Sequence, residues 1–227
     1  MDTTWLLIIP GILLALWAQA RVSSAFSRYS AISSTRGWTG AQVARSILDN
    51  NGLHHVTINA ISGSMTDNYN PRNRSLNLSQ TVYGSTSLAA VAVAAHEAGH
   101  AIQHQQGYAP NAIRSALVPI ANIGSFAAWP LLILGLVLSY YPLVYIGIGV
   151  FAAAVLFQIV TLPVEFNASS RALAQLRDGG YLASDEVIGA RKMLSAAAMT
   201  YLAATLMSVL QLLRLLLLAN GGRRRND

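Results

Sequence analysis

Four long apolar segments constrain the fold of this chain more than any other feature of its 227 residues. They run from about Trp5 to Ala20, Leu117 to Ser139, Leu143 to Leu162 and Ala196 to Ala219. A helix needs roughly 20 apolar residues to cross about 30 Å of hydrocarbon, and each segment is close to that length. The composition agrees, because 53% of the residues are hydrophobic and only 11% are charged. We therefore predict a mainly α, multi-pass membrane protein.

The first and last apolar segments differ from an ordinary span. No Lys or Arg precedes the first one, so we interpret residues 1–20 as an anchor helix rather than a cleaved signal. The last segment, residues 196–227 with its basic tail, contains Gln211 and Arg214, which are costly in lipid unless they face another helix or an interface. It can span the membrane, or be tilted, re-entrant or interfacial.

The orientation follows from the distribution of positive charge. Residues 21–114 contain seven basic residues and residues 163–195 contain four, whereas the Tyr140-Tyr141-Pro142 turn contains none. Because cytoplasmic loops of membrane proteins are enriched in Lys and Arg, both basic stretches are expected in the cytoplasm. Residues 117–162 then form a transmembrane hairpin. The basic tail at Arg223-Arg224-Arg225 contradicts this rule if the last segment spans.

Residues 21–116 contain turn formers and polar residues throughout, and we predict that they form a small α+β cytoplasmic domain. The predicted elements are a helix from Gln42 to Asn50, strands from Val56 to Ile61 and Ser75 to Ser79 with a turn at Asn68 to Pro71, and a helix from about Leu88 to Gln105 capped by Ser85 or Ser87. Residues 163–195 form a shorter cytoplasmic segment with a helix from Phe166 to Leu176.

One short motif specifies a chemistry, namely His96-Glu97-Ala98-Gly99-His100. Residues four apart share a helix face, so both imidazoles can bind one Zn²⁺, and Glu97 is placed beside them to accept a proton from water. The surrounding helix is nearly apolar, where such groups are costly unless they are paired or bind a metal. Because the chain has no cysteine, the ligands must be His, Asp or Glu.

A hydrolytic zinc site usually has three protein ligands, so a further ligand is needed. His104 repeats the spacing of four, but it lies roughly 12 Å along the helix axis from His96 and cannot share the ion. His54 and His55 are typical loop residues. Glu165 directly follows the third apolar segment, and the hairpin can bring it to the metal. From the residues alone, an exposed acid at a helix start explains Glu165 equally well.

Longer stretches resemble the YugP-type neutral zinc metallopeptidases of bacterial membranes, and the likeness covers almost the whole chain. The matching stretches are Thr39-Gly40-Ala41, Asn51-Gly52-Leu53, Tyr69-Asn70-Pro71-Arg72, Ala94 to His104, Gly107-Tyr108-Ala109-Pro110, Leu162 to Ser169, and Thr205-Leu206-Met207 onward. The resemblance implies a zincin-like domain in which His96, His100 and Glu165 bind zinc. It also implies a location in the bacterial cell membrane. Glu97 would be the catalytic base for the hydrolysis of a protein or peptide substrate, and we expect an endopeptidase.

The residue that orients the zinc histidines is a separate question. Membrane gluzincins of the heat-shock-protease type usually have an Asp four residues after the ligand Glu, and Ser169 occupies that position here. We consider Asn167, Ser169 and His104 as candidates for this role. For substrate docking, we hypothesise that an extended peptide adds to the edge of the strand that contains Leu76, Asn77 and Leu78.

Two other functions are compatible with parts of the pattern. An intramembrane, site-2-type zinc protease would carry the motif within a spanning helix, but the apolar run from Leu88 to Ile102 is short and has three polar groups. A non-catalytic, zinc-stabilised membrane scaffold would keep the ligands but have no use for Glu97. The basic residues flank apolar segments instead of forming one patch, so we expect the lipid bilayer rather than nucleic acid as a partner. No feature indicates a particular oligomeric state.

Overall fold

The computed structural model describes residues 3–223, and it is mainly helical with one small sheet. After a 3₁₀ turn at Thr3–Leu7, the helices are α1 (Ile9–Ser30), α2 (Gly40–Asn50), α3 (Gln80–Tyr83), α4 (Leu88–Gln105), α5 (Ala109–Val137), α6 (Tyr141–Asp178) and α7 (Ser184–Arg223). Arg224 and Arg225 of the basic tail lie outside the described residues.

Four helical stretches among the described residues are long and apolar enough to cross a membrane. They are Thr4–Ser30, Ala109–Val137, Tyr141–Asp178 and Ser184–Asn220. Less than a third of each apolar window is buried by the protein itself. Apolar helices with so much uncovered surface are typical of lipid-facing proteins. The prediction of a mainly helical chain with four such segments is therefore confirmed.

The described chain divides into two compact units, and it enters each of them more than once. The first unit is built from the chain up to Ala18, from Ala112–Pro163 and from Thr200 onward. The second unit is built from Gln19–Asn111 and Val164–Met199. The long helices α6 and α7 each contribute residues to both units.

In the first unit, α5 and α6 form the predicted helical hairpin. The helices are joined by three residues around Tyr140, and Ser139 closes the turn with a φ of 52°. The two helices approach closely, because a Cβ atom at Gly135 would lie 2.8 Å from the backbone nitrogen of Val144. Leu132 is among the buried residues of this hairpin.

The charged group of the last apolar segment is also accommodated within the first unit. Arg214 on α7 is only 8% exposed, and its guanidinium lies over the Trp5 ring at 3.7 Å from the centroid. Its Nε atom donates a hydrogen bond to Thr4 Oγ1 at 3.1 Å. Cation–π and hydrogen-bond contacts of this kind reduce the cost of an arginine on an apolar helix. Arg214 therefore has partners on another part of the chain. Such partners are one of the two ways, named above, in which its cost in lipid is reduced.

In the second unit, α4 lies in the core. It spans Leu88–Gln105 as predicted, and the Ser87 hydroxyl caps it by accepting a hydrogen bond from the Ala90 N–H at 3.2 Å. Thirteen of its residues are buried, because it is apolar on nearly all sides. Helix α2, which begins with a capping box between Thr39 and Gln42, packs its apolar face into the same core.

The sheet of the second unit has three strands, β1 (Thr57–Ile61), β2 (Asn68–Asn70) and β3 (Ser75–Ser79), in the order β1-β3-β2. Strand β3 runs parallel to β1 and antiparallel to β2. The predicted strands are confirmed, but the turn predicted at Asn68 to Pro71 is wrong. Asn68–Asn70 pair with β3, and the chain reverses after them, where Arg74 has a φ of 52°.

The hypothesis of a docking edge at Leu76, Asn77 and Leu78 is also wrong. All three residues belong to β3, which is the central strand, and the side chains of Leu76 and Leu78 are fully buried. Their backbone groups pair with β1, and those of Leu76 and Asn77 also face β2. An alternating pattern identifies a strand, but it contains no information on the position of that strand in the sheet.

Helix α6 continues through Pro163, where the sequence suggested two separate helices. A proline removes one hydrogen bond from a helix and normally kinks or ends it. Here, Val164, Ala168, Ala172 and Leu176 recur at every fourth position and are fully buried. This buried stripe provides the packing that outweighs the missing hydrogen bond, so Glu165 lies within a helix and not at its start.

Candidate metal centre

Three side chains from two helices of the second unit meet in a buried cluster. His96 and His100 lie one turn apart on α4, and Glu165 is on α6. Their candidate ligand atoms all lie within 4.8 Å of one another. Glu165 Oε2 is 3.3 Å from His96 Nε2 and 3.6 Å from His100 Nε2, and the imidazole rings are perpendicular with centroids 4.7 Å apart. The structure thus brings together the three residues that the sequence predicted.

A glycine permits this close approach. Gly99 faces α6, where a Cβ atom would lie 2.8 Å from the backbone oxygen of Ala168. Real Cβ atoms essentially never come this close to another heavy atom. The glycine inside the five-residue motif therefore allows α4 to lie against the part of α6 that contains Glu165.

The donor set and its spacing fit a zinc ion. Two imidazole nitrogens and one carboxylate oxygen form one of the ligand sets found in hydrolytic zinc sites. Ligand atoms at tetrahedral angles and bond lengths of about 2.0–2.1 Å are about 3.4 Å apart, close to the two contacts of Glu165. The side chains of His96, His100 and Glu165 are 14%, 12% and 3% exposed. Such buried polar groups are costly unless they have partners, and a cation provides one.

Glu97 lies beside this cluster, and the pKa of its carboxyl is raised. Burial raises the pKa of the Glu97 carboxyl, although the nearby imidazoles of His100 and His96 oppose this effect. Burial alone would lower the pKa of His100, but the Glu165 hydrogen bond and the charges of Glu97 and Glu165 outweigh burial and raise it. A carboxyl group with a raised pKa beside a cation site is suited to proton transfer near neutral pH.

The ring nitrogen of His96 that does not face Glu165 contacts a serine. Ser169 Oγ on α6 is 3.1 Å from His96 Nδ1, while His96 Nε2 faces Glu165. Ser169 was one of the three sequence candidates for orienting a histidine, and it is the one that directly contacts a candidate ligand.

The ring nitrogen of His100 that does not face Glu165 contacts a residue that sequence reasoning missed. Gln103 Oε1 is 3.0 Å from His100 Nδ1, and the Gln103 side chain is fully buried. The sequence patterns did not single out Gln103. The available signal was its position three residues after His100, since residues with this spacing are neighbours on a helix surface.

The other two sequence candidates do not contact the ligand atoms. Asn167 Oδ1 accepts a hydrogen bond from Gln103 Nε2 at 2.9 Å, so it reaches the cluster only through the glutamine. His104 Nδ1 lies 2.9 Å from the hydroxyl of Tyr69 on β2, and His104 is not part of the three-residue cluster. This position agrees with the prediction that His104 does not share an ion with His96.

A cavity of about 570 Å³ lies between α6 and α7 within the second unit. Ser169, the residue that contacts His96, is part of its lining. The other lining residues include the apolar side chains of Phe166, Leu173, Ala174 and Leu194, together with Arg177 and Arg191. The cavity is therefore connected to the cluster through Ser169 and has both apolar and charged walls.

Comparison with known proteins supports the same chemistry. Residues 4–220 match a family model described as "Putative neutral zinc metallopeptidase". The chain is 45% identical over 221 residues to "Putative membrane protease YugP" from Bacillus subtilis (strain 168), which covers 97% of this chain and 98% of the relative. No solved structure matches the chain. The match extends over almost the full length of both proteins, so the chain belongs to this neutral zinc metallopeptidase family.

Proposed function

We propose that the protein is a membrane-embedded zinc peptidase in which His96, His100 and Glu165 hold the metal. The observation that carries this proposal is the meeting of these three side chains, which are up to 69 residues apart in sequence, in one buried cluster. Two helices are held in contact around Gly99 to form the cluster. Nothing in the packing of two apolar helices requires three polar groups at this point, whereas a metal does.

Zinc, when bound here, supplies Lewis acidity that polarises a carbonyl group and makes water more acidic. The Glu97 carboxylate then accepts a proton from the water that attacks the scissile carbonyl, and passes this proton to the nitrogen of the leaving amine. Its position on α4, next to His96, keeps it at the cluster in every step. We expect internal peptide bonds to be cleaved.

The cavity that Ser169 lines is proposed to receive a substrate side chain against its apolar wall. Ala174 on its wall offers a test, because Ala174→Phe fills part of the cavity and leaves the candidate ligands unchanged. We expect this variant to keep its zinc and to show a higher KM for peptides with large apolar residues near the cleaved bond. An unchanged preference among such peptides would remove the cavity from the proposal.

The proposed membrane arrangement is multi-pass in a bacterial cell membrane, with the second unit in the cytoplasm. The four long apolar helices and the basic residues that flank them support this arrangement. The contacts of Arg214 with Trp5 and Thr4 support α7 as a spanning helix, because they satisfy its charged group near the start of the chain. The intramembrane alternative has less support, since α4 is not among the four candidate spans of the described residues.

The test uses the full-length protein purified in detergent, with metal analysis and cleavage of a labelled unfolded protein such as casein. We expect one zinc ion per chain, and its loss in His96→Ala and Glu165→Gln. His55→Ala and Asp178→Asn are matched controls, because both residues are exposed and lie outside the cluster. If Glu165→Gln binds zinc as tightly as the parent, the ligand assignment is wrong. If the parent binds zinc but does not cleave casein, the scaffold function replaces the enzymatic one. If Glu97→Gln still cleaves casein, Glu97 is not the general base.

A further inference from the structure

Behind His100 lies a short chain of hydrogen bonds that leads away from the metal cluster. Gln103 Oε1 is 3.0 Å from His100 Nδ1, and Gln103 Nε2 donates to the backbone oxygen of Val164 at 2.8 Å and to Asn167 Oδ1 at 2.9 Å. Arg171 Nε in turn donates to the same Asn167 oxygen at 2.7 Å. All of these residues belong to the second unit.

The groups at the two ends of this hydrogen-bond series determine the direction of every hydrogen bond in it. The guanidinium of Arg171 can only donate, so the Asn167 atom that it contacts must be the amide oxygen. The backbone oxygen of Val164 can only accept, so the Gln103 atom that faces it must be the NH₂ group. The Gln103 oxygen is therefore the atom that faces His100. Since this oxygen can only accept, His100 Nδ1 must carry the hydrogen.

We propose that Gln103 is a positioning residue that fixes His100 in the tautomer with hydrogen on Nδ1. His100 Nε2 then keeps its lone pair and faces Glu165, which is the form that a metal requires. This inference rests on the proposed function, because the fixed tautomer matters only if His100 binds a metal. Asn167 and Arg171 act through Gln103 by holding its amide in one orientation.

The two histidines differ in this respect. The partner of His96 Nδ1 is the hydroxyl of Ser169, which can rotate and either donate or accept. Ser169 therefore does not select a tautomer of His96. The Gln103 amide is fully buried and bonded at both ends, so a reversed amide would place its oxygen against the Val164 oxygen. His100 is thus held ready for the metal, whereas His96 adjusts when the metal arrives.

The first test is the zinc affinity of purified full-length Gln103→Met, measured by competition with a chelator. Methionine has a similar length but cannot accept the hydrogen of His100 or donate to Val164. Loss of such an outer partner typically lowers metal affinity by about 10–100-fold, and we expect a loss in this range. Gln105→Met is the matched control, because Gln105 is exposed and bonds only to the backbone oxygen of Asn51 among the contacts described. Equal affinities of Gln103→Met and the parent would overturn the inference.

A second pair of variants tests the direction of these hydrogen bonds without changing Gln103. Asn167→Asp keeps an oxygen that accepts from both Gln103 and Arg171, whereas Asn167→Leu has no acceptor. We expect Asn167→Asp to retain most of the zinc affinity and Asn167→Leu to lose it. Equal affinities for the two Asn167 variants would overturn the role given to Asn167 and Arg171. If Gln103→Met does not fold, the tautomer of His100 in the parent decides the question.

A spectroscopic readout separates tautomer control from general loosening of the site. In metal-free protein at a pH where His100 is neutral, ¹⁵N NMR of the imidazole should report hydrogen on Nδ1 in the parent and a mixture in Gln103→Met. A mixture in the parent would overturn the inference. A parent that binds no zinc would instead refute the proposed function, and this inference with it.

Discussion

The backbone oxygen of Ala168 lies 2.8 Å from the point that a Cβ atom would occupy at Gly99. Both residues are buried, and each is flanked by a candidate ligand, His100 next to Gly99 and Glu165 three residues before Ala168. The neighbour is backbone of a helix, so it cannot move aside as the end of a flexible side chain can. The contact between α4 and α6 is therefore also the contact that determines the size of the metal cluster.

Replacing Gly99 by alanine should separate the two helices at this point. We expect Gly99→Ala to destabilise the protein by about 1–3 kcal/mol through overpacking, reduced by the better helix propensity of alanine. Zinc affinity should fall as well, because Glu165 moves away from the imidazoles. Thermal unfolding and chelator competition measure the two effects. Gly84→Ala is the control, because nothing lies within 4 Å of a Cβ atom there and its φ is −98°. Equal behaviour of the two variants would contradict the role of Gly99.

Glu97→Gln should separate zinc binding from catalysis. Loss of a general base lowers turnover by about 10²–10⁴-fold, while the three candidate ligands remain. Metal content and casein cleavage measure both properties in the same preparation. A variant that loses its zinc together with its activity would point to a structural role for Glu97.

The same substitution should not destabilise the metal-free protein. Because burial raises the pKa of Glu97, the folded protein holds this proton more tightly than the unfolded chain does. Stability from this group is then lost as pH rises through the interval between the unfolded and the folded pKa. At any pH above the unfolded pKa, this acidic group therefore carries a cost that glutamine does not have. Thermal unfolding in the presence of a chelator should show an equal or higher Tm for Glu97→Gln, and a lower one would contradict this explanation.

Zinc should stabilise the folded protein by mass action. At free zinc equal to 100 times its Kd, the expected gain is about 2.7 kcal/mol, and chelation should remove it. Differential scanning fluorimetry with buffered zinc measures the shift. His96→Ala should unfold at the same temperature with and without zinc, whereas His55→Ala should shift like the parent. A zinc-dependent shift that persists in His96→Ala would mean that the ion binds elsewhere.

Asp67 should be important for the stability of the sheet. Its carboxylate accepts hydrogen bonds from the backbone N–H of Ser79 at 2.7 Å and from the Ser79 hydroxyl at 3.0 Å, at the end of β3. Because Ser79 is fully buried, Asp67→Ala removes the acceptor of its backbone N–H and leaves its hydroxyl with Thr81 Oγ1, and we expect a loss of about 1–3 kcal/mol. Asp67→Asn keeps an acceptor oxygen and should lose less. Chemical denaturation of the two variants measures the difference, and equal losses would show that charge rather than hydrogen bonding is responsible.

The sequence predicted the helices and the histidine pair well, because both follow from local periodicity. Helix α4 begins and ends where its pattern and its Ser87 cap indicate. Glu165 was different, since its isolated pattern fitted an exposed acid equally well, and only the family resemblance favoured it as a ligand. Its position depends on the contact of Gly99 with α6, which involves residues 69 apart and has no local signature.

Other features were missed for related reasons. The order of strands in the sheet is a tertiary property, so the alternation in β3 could not indicate that this strand is central. Pro163 suggested a helix end, but α6 continues past it, and the buried stripe begins at the next residue, Val164. The spacing of three makes Gln103 a neighbour of His100, but its role depends also on the oxygen of Val164, far away in the sequence. Tertiary partners decided each of these cases.

The second unit is assembled from two separate parts of the chain, Gln19–Asn111 and Val164–Met199. The ribosome completes the histidine pair well before it reaches Glu165, and it makes the whole apolar hairpin in between. A nascent chain therefore cannot hold a complete ligand set until that hairpin has been synthesised. The candidate metal centre is therefore completed only after α5 and the first part of α6 have been made.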